Sequence, residues 1–222
     1  MPKRSDWNMM PSGWVLEASV LPSMRWSQGE GASYASALMC YAVIVQHADM
    51  DTGVASVTYD TFAAATGRGR ELVSKGLQHL YRFGLIDKPG GRSLYHMVDY
   101  SRDQGWAMFP HRQLYTGDRI PFFSEMHLRK RADLDALKLL YTFTAFRSRE
   151  DNRAHVSYKR IAELTGVSDK NISAAVSLLT SGHVINVDQV TNEHSSHAFH
   201  HAYRLRGIEP RRHRGTSQRA SI

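Results

Sequence analysis

The chain has 222 residues, of which 42% are hydrophobic and 10% aromatic, enough apolar surface for packed cores and too much for a wholly disordered polymer. No run approaches the roughly 18 consecutive apolar residues of a membrane helix. The N-terminus Met1-Pro-Lys-Arg-Ser-Asp6 has no apolar signal core, and a lone Cys40 excludes a disulfide framework or a cysteine-rich zinc module. A cytoplasmic location without membrane contact is therefore expected. The formal charge of +7 is unevenly placed: residues 1–105 hold ten Lys/Arg and ten Asp/Glu, residues 106–222 eighteen and eleven. Arg204, Arg206, Arg211, Arg212, Arg214 and Arg219 supply most of the excess. With Pro210, Gly215 and Ser217 among them and no apolar periodicity, this end reads as a flexible basic tail.

The pattern along the chain repeats itself. A shift of 99 residues places 37–86 on 136–185 without a gap, with eleven of fifty pairs identical, among them Ala63/Ala162, Thr66/Thr165, Gly67/Gly166 and Leu80/Leu179. Upstream, Trp14–Leu21 echoes Trp106–Leu114 after a small change in spacing. In each copy an apolar helix comes first (34–47; 134–146), then a polar turn and a short extended segment ending at Tyr59 or Tyr158. A helix over 59–65 or 158–164 stops at Gly67 or Gly166. The next, over 70–83 or 169–181, carries Leu72, Val73, Leu77 and Leu80, or Ile172, Ala175, Val176 and Leu179, at helical spacing. Gly84 and Gly182 are expected to end these helices in a left-handed conformation. A hairpin follows: Leu85–Asp87, a turn through Pro89-Gly-Gly91 and a strand over 93–98; or 184–190, a longer turn and a strand over 198–205.

The order helix, short strand, helix, turn, helix, hairpin resembles a winged helix-turn-helix, and the resemblance covers most of both halves. The turn of such a unit needs a small residue, a left-handed Gly and a branched apolar residue. Ala63, Gly67 and Val73 supply them, as do Ala162, Gly166 and Ile172; the stretch Ile161–Ile172 is similar to bacterial helix-turn-helix sequences. The first copy departs where Arg68 occupies the position of Val167. The implied fold is α+β, two tandem winged helix-turn-helix domains, with boundaries at 1–105, 106–206 and a tail 207–222.

With the apolar stripe inward, the third helix of the first copy exposes Arg70, Glu71, Ser74, Lys75 and Gln78. That of the second exposes Asp169, Lys170, Ser173, Ala174 and Ser177, with Asn171 at the edge. Such a helix fits the major groove, where Arg and Lys read guanine and Gln and Asn read adenine. Arg70, Lys75 and Gln78 are the expected base readers, with Arg68, Ser74, Ser168, Lys170, Asn171, Ser173 and Ser177 beside them and Lys88 and Arg92 on the wing touching phosphate. Between Gly67 and Arg92 the net charge is +4; over Gly166–His201 it is −2, so the first head is expected to bind more strongly.

Other features read as structural. His183, His194, His197, His200 and His201 lack companion ligands at metal spacing, and no metal or other cofactor is assigned. Trp106, Met108, Phe109, Leu114, Tyr115, Ile120, Phe122 and Phe123 carry too much apolar surface for a linker and are expected to pack at the junction of the copies, with Trp7, Trp14 and Trp26 doing the same in the first. Cys40 reads as a buried small residue. No phosphate loop, paired carboxylates or catalytic triad is recognisable, so no enzyme activity is assigned. The expected function is site-specific binding of double-stranded DNA by a nucleoid-associated transcriptional regulator, as a homodimer or as a monomer with two heads. The architecture is also similar to plasmid and phage replication initiators, whose unit commonly opens on a segment like Phe109-Pro-His-Arg-Gln-Leu114. A scaffold subunit that uses such units to bind protein is the third reading.

Overall fold

The computed structural model describes residues 5–27, 29–192 and 195–208, with the side chains of 191–192 and 195–199 left aside. The chain is a mixed α+β protein with small sheets, and its element order runs twice. The first half comprises β1 (Trp7–Pro11), α1 (Gly13–Leu16), a 3-10 turn (Leu21–Ser23), α2 (Gly31–His47), β2 (Val54–Ser56), α3 (Tyr59–Thr66), α4 (Arg70–Arg82), β3 (Ile86–Asp87) and β4 (Leu94–Met97). The second comprises β5 (Trp106–Pro110), a 3-10 turn (Arg112–Leu114), α5 (Pro121–Glu125), α6 (Arg131–Ala145), β6 (Arg153–Ala154), α7 (Tyr158–Thr165), α8 (Asp169–Ser181), β7 (Ile185–Asn192) and β8 (Ser195–Leu205). Among the described residues no helix is long and apolar enough to cross a membrane.

Local chemistry explains the repetition. α2 and α6 are almost wholly buried, so they form the centre. α3 and α7 start on the same kind of cap: Thr58 Oγ1 accepts from the Thr61 amide at 3.1 Å, Ser157 Oγ from the Arg160 amide at 3.2 Å. The hairpins that follow α4 and α8 each pair with the short strand after the central helix, in the orders β2-β4-β3 and β6-β8-β7, all antiparallel.

The two halves meet about an internal two-fold. β1 pairs antiparallel with β5 so that Trp7 faces Pro110, Met9 faces Met108 and Pro11 faces Trp106. Those residues are themselves 99 apart (Trp7/Trp106, Met9/Met108, Pro11/Pro110), so each pairs with the other's counterpart, as at a two-fold interface between identical subunits. The repeat therefore runs upstream without any change of spacing, through Trp-x-Met-x-Pro. Trp14 is not the partner of Trp106: its indole instead donates to the Pro11 carbonyl at 3.0 Å and meets Tyr41 edge-on at 5.5 Å. α2 packs on α6, where the buried Tyr141 hydroxyl donates to the Leu38 carbonyl at 2.6 Å. The 3-10 turn at Leu21 packs on α7 of the other half and α5 packs on α3, a reciprocal exchange of the segments that precede the central helices. The buried side chains form one continuous core across the position 105/106.

Two sequence expectations change here. Gly84 has the expected left-handed φ of 66°, but Gly182 has φ −75°, and His183 at φ 56° takes the left-handed position. Gly182 is small for another reason, because a Cβ there would lie 2.2 Å from the Phe122 ring. The C-terminal arginines also do not begin a flexible tail at residue 204: Arg204 lies within β8 and bonds Asp188, and Ile208 is buried. Residues 209–222 lie outside the described residues.

Candidate nucleic-acid interface

The turn between α3 and α4, and that between α7 and α8, are built alike. Gly67 and Gly166 both adopt φ 68° and donate to Ala63 and Ala162 at 2.9 Å. The Thr66 and Thr165 hydroxyls donate back to Phe62 and Ile161 at 2.7 Å and accept from the amides of Arg68 and Val167 at 3.2 and 3.1 Å. Each glycine is also the point of close approach for the segment exchanged from the other half. A Cβ on Gly67 would lie 2.9 Å from Ser124 Cβ, and one on Gly166 would lie 3.1 Å from Pro22 Cα. Only a residue that tolerates positive φ and has no side chain fits both demands.

Arg68 proves to belong to this scaffold. Its Nε donates to the Thr66 carbonyl at 3.1 Å and one Nη to the Ser124 carbonyl at 3.0 Å, so it ties the turn to α5. Val167 is fully buried at the same position. The second unit meets the corresponding Thr165 carbonyl with Lys138 Nζ of α6 at 2.9 Å. The carbonyl at this helix end is thus satisfied by a cation in both units, from different places in the sequence. Arg68, expected beside the base readers, is engaged with backbone carbonyls instead.

The other residues expected on α4 share one face. Arg70, Glu71, Ser74, Lys75 and Gln78 line a shallow depression together with Tyr59 from α3. The Arg70 guanidinium lies 5.0 Å from the Tyr59 ring centroid, a contact that holds its long side chain over the helix N-terminus. Lys75 donates to Glu71 at 2.7 Å, and that hydrogen bond holds the Glu71 carboxyl below its usual range. The opposite side of α4 is buried through Val73, Gly76, Leu77 and Leu80. Gly76 is the closest point, since a Cβ there would come within 2.9 Å of the Ala37 nitrogen and the Ser36 carbonyl carbon. Lys88 and Arg92 are exposed on the turn between β3 and β4, with Lys88 Nζ 5.6 Å from the Tyr81 ring.

α8 presents a different surface. Lys170, Ser173 and Ser177 are exposed, Asn171 and Ser168 half-buried, and Ser177 Oγ is engaged with the Ser173 carbonyl at 3.0 Å. The second hairpin is longer and carries an ion-pair network that sequence reading missed. Asp188 accepts from Arg153 Nε at 2.8 Å and Arg204 Nε at 3.1 Å, and these bonds hold its carboxyl low. His200 is 3.1 Å from His155, which reaches Asp151 at 2.7 Å. His194 lies outside the described residues, and the side chain of His197 is not among those described. Tyr59 was the other omission, although its identity with Tyr158 across the repeat marked it. No protein-family model matches the chain, and no curated protein matches its sequence.

Proposed function

We propose that the chain binds double-stranded DNA site-specifically, as a transcriptional regulator made of two tandem winged helix-turn-helix units. The observation that carries the reading is the uncovered face of α4. Arg70, Lys75 and Gln78 stand together on a helix whose other side is locked to α2, behind a turn built twice with the same backbone geometry. A rigid helix with two cations and an amide on its outer face supplies donors for guanine and adenine edges, and Lys88 and Arg92 on the hairpin supply phosphate contacts. Glu71 pairs with Lys75 in the free protein and repels phosphate, which favours base contact over non-specific binding at this end of the helix.

The two units offer a duplex different surfaces. The α4 head dominates affinity, because the exposed face of α8 carries Lys170 against Asp169 and otherwise small polar groups. Selection from a random duplex pool tests the reading. One motif should be enriched, and Arg70→Ala/Lys75→Ala should lower affinity for it and relax its specificity, whereas Lys88→Ala/Arg92→Ala should reduce the salt slope by about 2. A pool with no enriched motif, or an Arg70→Ala/Lys75→Ala variant with the original affinity and specificity, overturns it. Genome-wide mapping then separates promoter sites from repeats clustered beside a replication origin.

A further inference from the structure

A second surface lies on the other unit. Between α8 and the segment that joins α5 to α6 runs an open groove of about 1080 Å³, floored by Phe122, Met126, Ala174 and Leu178 and rimmed by Arg129 and Lys130. The internal repeat shows what such a groove normally contains. Ninety-nine residues earlier, Tyr34 stands at the position of Asp133, His79 at that of Leu178 and Phe83 at that of Gly182. These three rings pack on one another, with centroids 4.5 Å apart for Tyr34–His79, 6.3 Å for His79–Phe83 and 6.1 Å for Tyr34–Phe83. Glu30, at the position of Arg129, accepts a hydrogen bond from the Tyr34 hydroxyl, and Arg82, at the position of Ser181, donates to that hydroxyl at 3.1 Å. The first unit thus fills its own groove with aromatic rings and a carboxylate.

The second unit lacks that plug and reverses the charge. Phe122 occupies part of the room that Phe83 takes, lying against Gly182, and the rest stays open. Arg129 and Lys130 replace Glu30 and Gly31, both are exposed, and none of the ion pairs among the described residues involves either. Of the two carboxylates that line the groove, Asp133 is buried and acts on Arg68, which leaves Glu125 alone against two cations at the rim.

We propose that this groove docks a segment of another protein that carries an aromatic side chain with Asp or Glu beside it. The ring takes the place that Tyr34 and Phe83 fill in the first unit, and the carboxylates meet Arg129 and Lys130, as Glu30 meets its partners there. A phosphate backbone would meet the rim cations but leave the apolar floor uncovered, whereas a side-chain anchor beside carboxylates meets both, so protein is favoured over nucleic acid. A regulator with DNA on one head and a partner on the other unit would couple binding to recruitment.

A phage-displayed random peptide library, panned on the intact chain and counter-selected on Ala174→Trp, tests this. Ala174 is exposed, and a tryptophan there fills the groove from the solvent side of α8. Enriched peptides should carry an aromatic residue flanked by Asp or Glu. As synthetic labelled peptides they should bind at least tenfold more weakly to Ala174→Trp and to Arg129→Glu/Lys130→Glu, and more weakly in high salt. If Ala174→Trp does not fold, the charge reversal on two exposed residues carries the comparison alone. No enrichment, peptides without that pattern, or equal binding to the variants overturns the proposal. So does a groove variant that weakens duplex binding by the unmodified α4 head, or one that converts a dimer to a monomer in sedimentation, because the groove would then serve DNA or a second copy.

Discussion

Lys138→Met is expected to remove a pH dependence of stability that the native chain carries. Lys138 is 3% exposed on α6, donates to the Thr165 carbonyl at 2.9 Å, and lies near Asp135, which is 2% exposed and accepts from Arg131 at 3.2 Å. Burial pulls the ammonium down from its ordinary 10.5 to about 8, with the Asp135 carboxylate holding it up in part and Arg131 pushing it further down. Burial likewise raises the Asp135 carboxyl, against Arg131 and Lys138. Below pH 8 the lysine is charged in both states, and the folded state bears the full cost of burying it. Between about 8 and 10.5 the unfolded chain keeps a proton that the native chain has released, so native stability rises with pH. Each pKa unit is worth about 1.4 kcal/mol, so the rise amounts to roughly 3 kcal/mol. At pH 7 the methionine variant sheds that cost but leaves Asp135 with Arg131 alone and the Thr165 carbonyl without a donor, a loss of about 2–3 kcal/mol that roughly offsets the gain. Asp135→Ser/Lys138→Met copies the first unit, which has Ser36 and a buried Met39 at these positions, and should recover most of that loss. Urea unfolding of the three proteins between pH 7 and 10 measures all of this. Parallel pH curves for the native chain and Lys138→Met, or a double variant weaker than the single one, would refute the reasoning.

Gly76→Ala should destabilise by about 1–2 kcal/mol, because crowding against the α2 backbone outweighs the ~1 kcal/mol that alanine gains in an open helix; thermal melts showing a more stable variant would contradict the contact. Thr58→Ala and Ser157→Ala remove equivalent caps and should each cost about 1 kcal/mol in urea unfolding, with near-additive loss in the double variant. Cys40 is fully buried, and burial pushes its thiol up to about 12, so iodoacetamide should modify it only in denaturant; modification of the native protein at the rate of a free thiol would place it at the surface.

The α4 and α8 helices and the turns before them were legible because their causes are local. The period of apolar residues in α4 and α8 and the glycines at 67 and 166 act within a few residues of themselves, whereas the caps at Thr58 and Ser157, equally local, went unread. Gly182 misled because a glycine near a helix end has two causes, a left-handed backbone or a close neighbour, and its neighbour Phe122 is sixty residues away. Arg68 misled for a related reason. A cation in the turn beside Arg70 and Lys75, it is drawn to the Ser124 carbonyl, which sequence does not bring near it. Lys138 was invisible as a charge because it lies inside an apolar run.

The sequence by itself determined that the chain is a duplication, where the two helices flanking each glycine turn lie, and which residues of α4 face outward, because identity at fixed spacing and amphipathic period are properties of the chain alone. Tertiary structure decided that the two units share one core about a two-fold, that each lends its leading segment to the other's turn, and that one groove is filled while its counterpart stands open. These depend on which surfaces meet, and a surface's partner is chosen by shape and by the polar groups left to satisfy, over separations that no local pattern records.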